Sequence, residues 1–151
     1  MASAINEIYD AIAAWDVSWD SDVTIKVKEL QSMDDKIGTP EGAVRILSPL
    51  DPETGGGGGH VALGKTMTVS WRISDTLYVR PTSHGRSLEN SVPQLMNYIK
   101  TYLTAIQNDR SPTNQSWIEE VEWDVGTYAY PTEQNDRYYG VRFLLTVNEV
   151  I

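Results

Sequence analysis

Between Asn90 and Asn108 the apolar residues keep a helical beat, and this stretch constrains the fold more than any other. Val92, Leu95, Met96, Ile99, Tyr102 and Ile106 recur at three- and four-residue steps, which puts them on one stripe, while Gln94, Asn97, Lys100 and Thr104 lie opposite. Asn90 or Ser91 can cap the start, and Pro93 then falls in the first turn, where its missing N–H costs nothing. A lone amphipathic helix of this length is marginal in water, so the stripe needs a partner surface. The alternating segments on either side of it can supply one.

Those segments read as strands. Val23, Ile25 and Val27 alternate with Thr24, Lys26 and Lys28, and Ala43 to Leu47 forms a second short strand closed off by Pro49 and Pro52. From Met67 to Val79 the odd positions are Met, Val, Trp, Ile, Asp, Leu and Val, which predicts one long strand or two short ones buried on that face. Asp75 interrupts it. A buried unpaired carboxylate is costly, so a bulge, an edge or a tight turn is expected there. After the helix, Trp117, Val121, Trp123 and Val125 share a face, with Glu119 as the exception and Glu120, Glu122 and Asp124 opposite. A turn-rich break from Pro131 to Asp136 leads into Tyr139, Val141, Phe143, Leu145 and Val147, which completes a hairpin. Antiparallel pairing of these two strands would bring the acidic row and Arg142 to one outer face. Ser3 caps a short first helix carrying Ile5, Ile8, Tyr9 and Ile12 on one side. The expected fold class is α+β: an antiparallel β-sheet with two amphipathic helices packed on it, in a single domain spanning residues 1–151.

Two long loops are expected, at about residues 30–42 and 50–64. The first holds Asp34 and Asp35. The second holds five consecutive glycines, Gly55, Gly56, Gly57, Gly58 and Gly59, followed by His60, a stretch in which nothing can pack. Such a connection is either functional on assembly or a plain linker.

The chain has no cysteine and only two histidines, which removes disulfide and thiolate chemistry and leaves no zinc-site spacing. Neither a membrane-spanning run nor a signal-peptide pattern is present, so a soluble chain made inside the cell is expected. Its formal charge of −9, from 21 acids and 12 bases, argues against gripping nucleic acid by phosphate neutralisation. Five Trp and eight Tyr against one Phe suit either a core or wet interfaces.

Gly59 to Thr66 matches the P-loop pattern literally, with Gly64-Lys65-Thr66 at its end. That motif needs a buried strand before it and a helix N-terminus after it. Here glycines precede it and an alternating strand follows, so a nucleotide-binding enzyme is the remote alternative. Ser83-His84 lacks a nucleophile elbow and reads as part of a turn. The acidic row could gather a cation, but one strand brings only alternate members to a face. No catalytic residue, metal ligand or cofactor is expected.

The segment Leu77-Tyr78-Val79-Arg80-Pro81, then Gly85-Arg86 and the amphipathic helix, resembles the tail terminator proteins of long-tailed bacteriophages. So does the ending, Tyr138-Tyr139-Gly140-Val141-Arg142-Phe143 with Leu145, Val147 and Glu149. The resemblance covers about the last half of the chain. It implies a virion structural protein of the tail or neck, assembled in the host cytoplasm as a homo-oligomeric ring, typically a hexamer. Such a ring caps the head-proximal end of the tail tube, stops its polymerisation and meets the head-tail connector or stopper protein, while DNA passes through without specific binding. On that reading Asp34, Asp35 and Gly55 to His60 are candidate assembly residues, and Glu120, Glu122 and Asp124 form a solvated or lumen-facing row. Another neck or tail component, such as a head-completion protein or a tail tube subunit, is the alternative within the same class.

Overall fold

A computed structural model describes residues 4–17, 25–29, 43–48, 57–81, 87–130 and 133–151. The first helix, α1 (Ala4–Ala13), turns Ile8 and Ile12 inward. The second, α2 (Ser87–Asn108), begins three residues earlier than its apolar beat suggests. Pro93 therefore lies beyond the first turn and leaves the carbonyl four residues back without its helical N–H.

The strands are β1 (Ile25–Glu29), β2 (Ala43–Ser48), β3 (Gly59–Ala62), β4 (Thr68–Pro81), β5 (Ser116–Tyr130) and β6 (Glu133–Val150). They form one sheet in the order β1-β2-β4-β6-β5, with β3 also paired to β4. With two helices beside this sheet the chain is α+β. Every pairing is antiparallel except β1 with β2, which is parallel. A period of two reports which face a residue occupies and is blind to strand direction, so the sequence could not distinguish the two. A parallel pair needs a crossover connection, and residues 30–42 are long enough for one.

One face of the sheet carries the main core. Ile73, Leu77 and Val79 of β4 and Val141, Phe143 and Leu145 of β6 pack with Leu95, Tyr98 and Tyr102 of α2. The Tyr102 ring stacks on Phe143 at a centroid distance of 3.8 Å. The opposite face is not simply wet. There Val44, Ile46, Tyr78, Tyr128, Tyr130 and Tyr138 form a second buried cluster, with Tyr130 edge-on to Tyr78 at 5.2 Å. The even positions of β4, expected to meet water, include buried Ser74, Thr76 and Tyr78.

Six of the eight tyrosines are buried, whereas Trp117 and Trp123 are exposed on β5 and Trp15 and Trp71 are partly buried. Tyrosine can bury its ring and still satisfy its hydroxyl, as Tyr128 does by donating to the Asp124 carbonyl at 2.6 Å.

Three local expectations change. The strand through Asp75 is continuous, and the irregularity in β4–β6 pairing falls between Tyr78 and Arg80. A bulge at Glu119 in β5 sets Trp117 opposite Asn148 and Val121 opposite Leu145, so Trp117 leaves the face that Val121, Trp123 and Val125 share. The second long loop is shorter than expected, because β3 occupies Gly59–Ala62.

Candidate assembly interface

β3 is in effect the continuation of β2 along the same side of β4. Ser48 pairs with Ser74, and after an interval the ladder resumes with Gly59 opposite Trp71. The glycine run enters this ladder: the Arg72 amide donates to the Gly58 carbonyl at 3.1 Å. A Cβ on Gly59 would run into the Ser70 carbonyl oxygen, so this position requires glycine. The expectation that nothing there can pack therefore fails at Gly59, which is held by backbone contact. His60 is exposed and lies opposite Ser70. Asp34, Asp35, Gly55 and Gly56 lie outside the described residues.

The P-loop match dissolves into this geometry. Gly59 to Ala62 is strand, Gly64 to Thr66 is the bend, and Thr68 opens the antiparallel partner strand. No helix N-terminus follows Lys65-Thr66, so the backbone N–H groups that would cradle phosphate are not gathered there. The hairpin exposes apolar side chains instead: Val61, Leu63 and Met67, beside Ile151, whose amide donates to the Met67 carbonyl at 2.9 Å. An open groove of about 550 Å³ runs along its base between Tyr9, the Gly57–Gly59 backbone and Trp71. The Tyr9 hydroxyl and Trp71 Nε1 are buried there without hydrogen-bond partners among the described residues, and burial raises the Tyr9 pKa.

Across the sheet, the side chains of the acidic row are exposed. Glu120, Glu122 and Asp124 stand opposite Thr146, Leu144 and Arg142. Arg142 does share their face, but its guanidinium is turned inward, bonding Thr76 Oγ1 at 3.1 Å and lying 4.4 Å over the Tyr128 ring. The carboxylates of the row therefore keep their charge facing solvent. Glu119, displaced by the bulge, accepts from Asn148 Nδ2 at 2.7 Å. Among the described residues no group of three or more His, Asp or Glu could hold a metal ion.

Sequence reasoning missed one polar constellation. Arg45 and Asp75 are fully buried and joined by Nε–Oδ1 and Nη2–Oδ2 bonds of 3.0 and 2.7 Å. Tyr102 donates to the same Asp75 Oδ2 at 2.7 Å, and Arg45 Nη2 donates to the Ile12 carbonyl at 2.8 Å. One guanidinium thus ties β2, β4 and the last turn of α1, where a cation also suits the helix dipole. Burial alone would lower the Arg45 pKa, but the Asp75 charge and hydrogen bonds outweigh it and raise it. Burial first, and the Asp75 charge second, push the Tyr98 and Tyr102 phenols well above their ordinary range. The signal was present as two lone opposite charges at buried positions of two strands. Pairing them required knowing that the strands are neighbours.

Comparison with protein-family models found no match to this chain, and a search of curated proteins found none either.

Proposed function

We propose that the chain is a structural, ring-forming tail terminator of a long-tailed bacteriophage, which caps the head-proximal end of the tail tube and joins it to the head connector. The observation that supports this most is the relation between the two stretches that carry the resemblance. They are distant in sequence and paired in the sheet: Leu77 lies opposite Val141, Tyr78 opposite Gly140 and Pro81 opposite Tyr138. Gly140 has a physical reason to be glycine, because a Cβ there would meet the Leu77 carbonyl oxygen. The aromatic-glycine ending and the Leu-Tyr-Val-Arg-Pro segment thus form one unit. Exposed Trp117 and Trp123 suit a wet protein interface, and the solvated Glu120, Glu122 and Asp124 would repel DNA phosphate in a bore.

Native mass spectrometry of the purified 16.9 kDa chain, with and without magnesium-ATP, is the first test. A closed oligomer without nucleotide, which then limits tube length when added to polymerising tail tube protein, is the expected result. Stoichiometric nucleotide binding would overturn the structural reading. Long cylinders formed by the chain alone would instead identify a tube subunit.

A further inference from the structure

Among the described residues the two outermost strands of this sheet, β5 and β1, differ in charge. The β5 segment from Ser116 to Tyr130 contains Glu119, Glu120, Glu122 and Asp124 and no base. At the other side β1 carries Lys26 and Lys28, with Glu29 as its one acid, while β3 pairs with β4 itself and so lies one strand further in.

The pairing registers make the match specific. One row across the sheet runs Asp124, Arg142, Thr76, Ile46, Lys28, with an acid at one end and a base at the other. All its positions share one face, because each register pair shares a face. Strand direction also agrees. β5 runs with β4, whereas β1 and β3 run against it, so placing a second copy beside the first, unstaggered, makes the new pair antiparallel.

We propose that copies of this chain associate head to tail, with β5 of one pairing antiparallel to β1 of the next. Asp124 then stands level with Lys28 of the second copy. This contact joins two different patches, so it is heterologous, and such contacts close into rings or continue as filaments. The inference rests on the ring reading only for its closure. An acidic edge could instead serve only to keep copies apart, a common role for edge charges.

The test reverses each edge separately and then mixes the products. One variant carries Glu120→Lys, Glu122→Lys and Asp124→Lys; the other carries Lys26→Glu and Lys28→Glu. Sedimentation velocity should show self-association of either variant weakened by about ten- to a hundredfold, and their equimolar mixture should regain it, because each then offers a complementary edge. A second measurement does not depend on charge. The chain has no cysteine, so Asp124→Cys combined with Lys28→Cys should oxidise to a covalent ladder of copies, since directly opposed antiparallel residues lie within disulfide reach. A wild-type chain monomeric at all concentrations, a mixture that stays dissociated, or a double-cysteine chain that forms no ladder overturns the proposal. Edge-dependent association without tube capping would refute the terminator reading alone.

Discussion

Replacing Asp75 by Asn should be among the most damaging single-atom changes possible in this chain. Asp75 Oδ2 receives three donors, Arg45 Nε at 2.9 Å, Arg45 Nη2 at 2.7 Å and Tyr102 Oη at 2.7 Å, while Oδ1 receives Arg45 Nε at 3.0 Å. An amide can offer only one oxygen, so one side of the group would present N–H to a donor. The guanidinium cannot escape by losing its proton. It would stay charged in a site with no solvent exposure. Removing one member of a buried ion pair costs about 3–5 kcal/mol, against a total stability for such domains of about 5–15 kcal/mol. At this size each kcal/mol lowers the midpoint by about 2–4 °C, so thermal unfolding followed by circular dichroism should shift down by about 6–20 °C. The combination Arg45→Met, Asp75→Leu and Tyr102→Phe removes every member together and should recover most of that loss, because buried ion pairs exchange for apolar packing at little net cost. The Ile12 carbonyl keeps the Trp15 amide as a donor in that variant. An Asp75→Asn protein within about 1 kcal/mol of wild type, or a triple variant no better than Asp75→Asn, would refute the reasoning.

The remaining predictions test separate parts of the structure. Tyr98 and Tyr102 have folded-state pKa values raised above the unfolded one, chiefly by burial. Their contribution is therefore intact below about pH 10 and is lost as pH rises beyond it, at about 1.4 kcal/mol per pH unit for each phenol; the phenolate absorbance that Tyr98→Phe and Tyr102→Phe remove should appear only with unfolding. Gly140 and Gly126 face each other across β5 and β6, but a Cβ at Gly140 meets the Leu77 carbonyl oxygen whereas at Gly126 it meets nothing within 4 Å. Denaturant melts should show Gly140→Ala destabilised by about 3 kcal/mol or more, and Gly126→Ala within about 1 kcal/mol of wild type. Lys65 sits in the bend of a hairpin, so isothermal titration should find no magnesium-ATP binding in either wild type or Lys65→Ala.

The period of hydrophobicity made most of the elements legible. It located α2 to within three residues at its start, the long β4, and the β5–β6 hairpin whose acids face solvent. What it missed has a common cause. The parallel β1–β2 pair, the Arg45–Asp75 bond and the short β3 all depend on which segments become neighbours, and a chain-local pattern holds no such information. Asp75 illustrates the point. Its cost in a buried strand was correctly anticipated, but the relief came from a partner 30 residues away in sequence rather than from a bulge. Gly59 is the converse, since a run of five glycines suggests only freedom, yet one of them is demanded by the close approach of β4.

The candidate assembly residues were harder to read because an edge is a property of the finished sheet. Glu120, Glu122 and Asp124 were visible as a row, but a row on a central strand and a row on an outermost strand have different consequences. A central row is merely solvated on one face, while an outermost row also lies beside unpaired backbone groups that another chain can use. β5 is outermost, and the bulge at Glu119 changes which of its residues point where. Upstream of it the Ile118 amide is already taken by the Arg110 carbonyl at 2.7 Å. A bound amide cannot serve a second strand, so any pairing partner must align with the segment beyond Glu119. That segment contains Glu120, Glu122, Trp123 and Asp124, which is why charge and exposed aromatic area coincide at the part of the edge where a partner can dock.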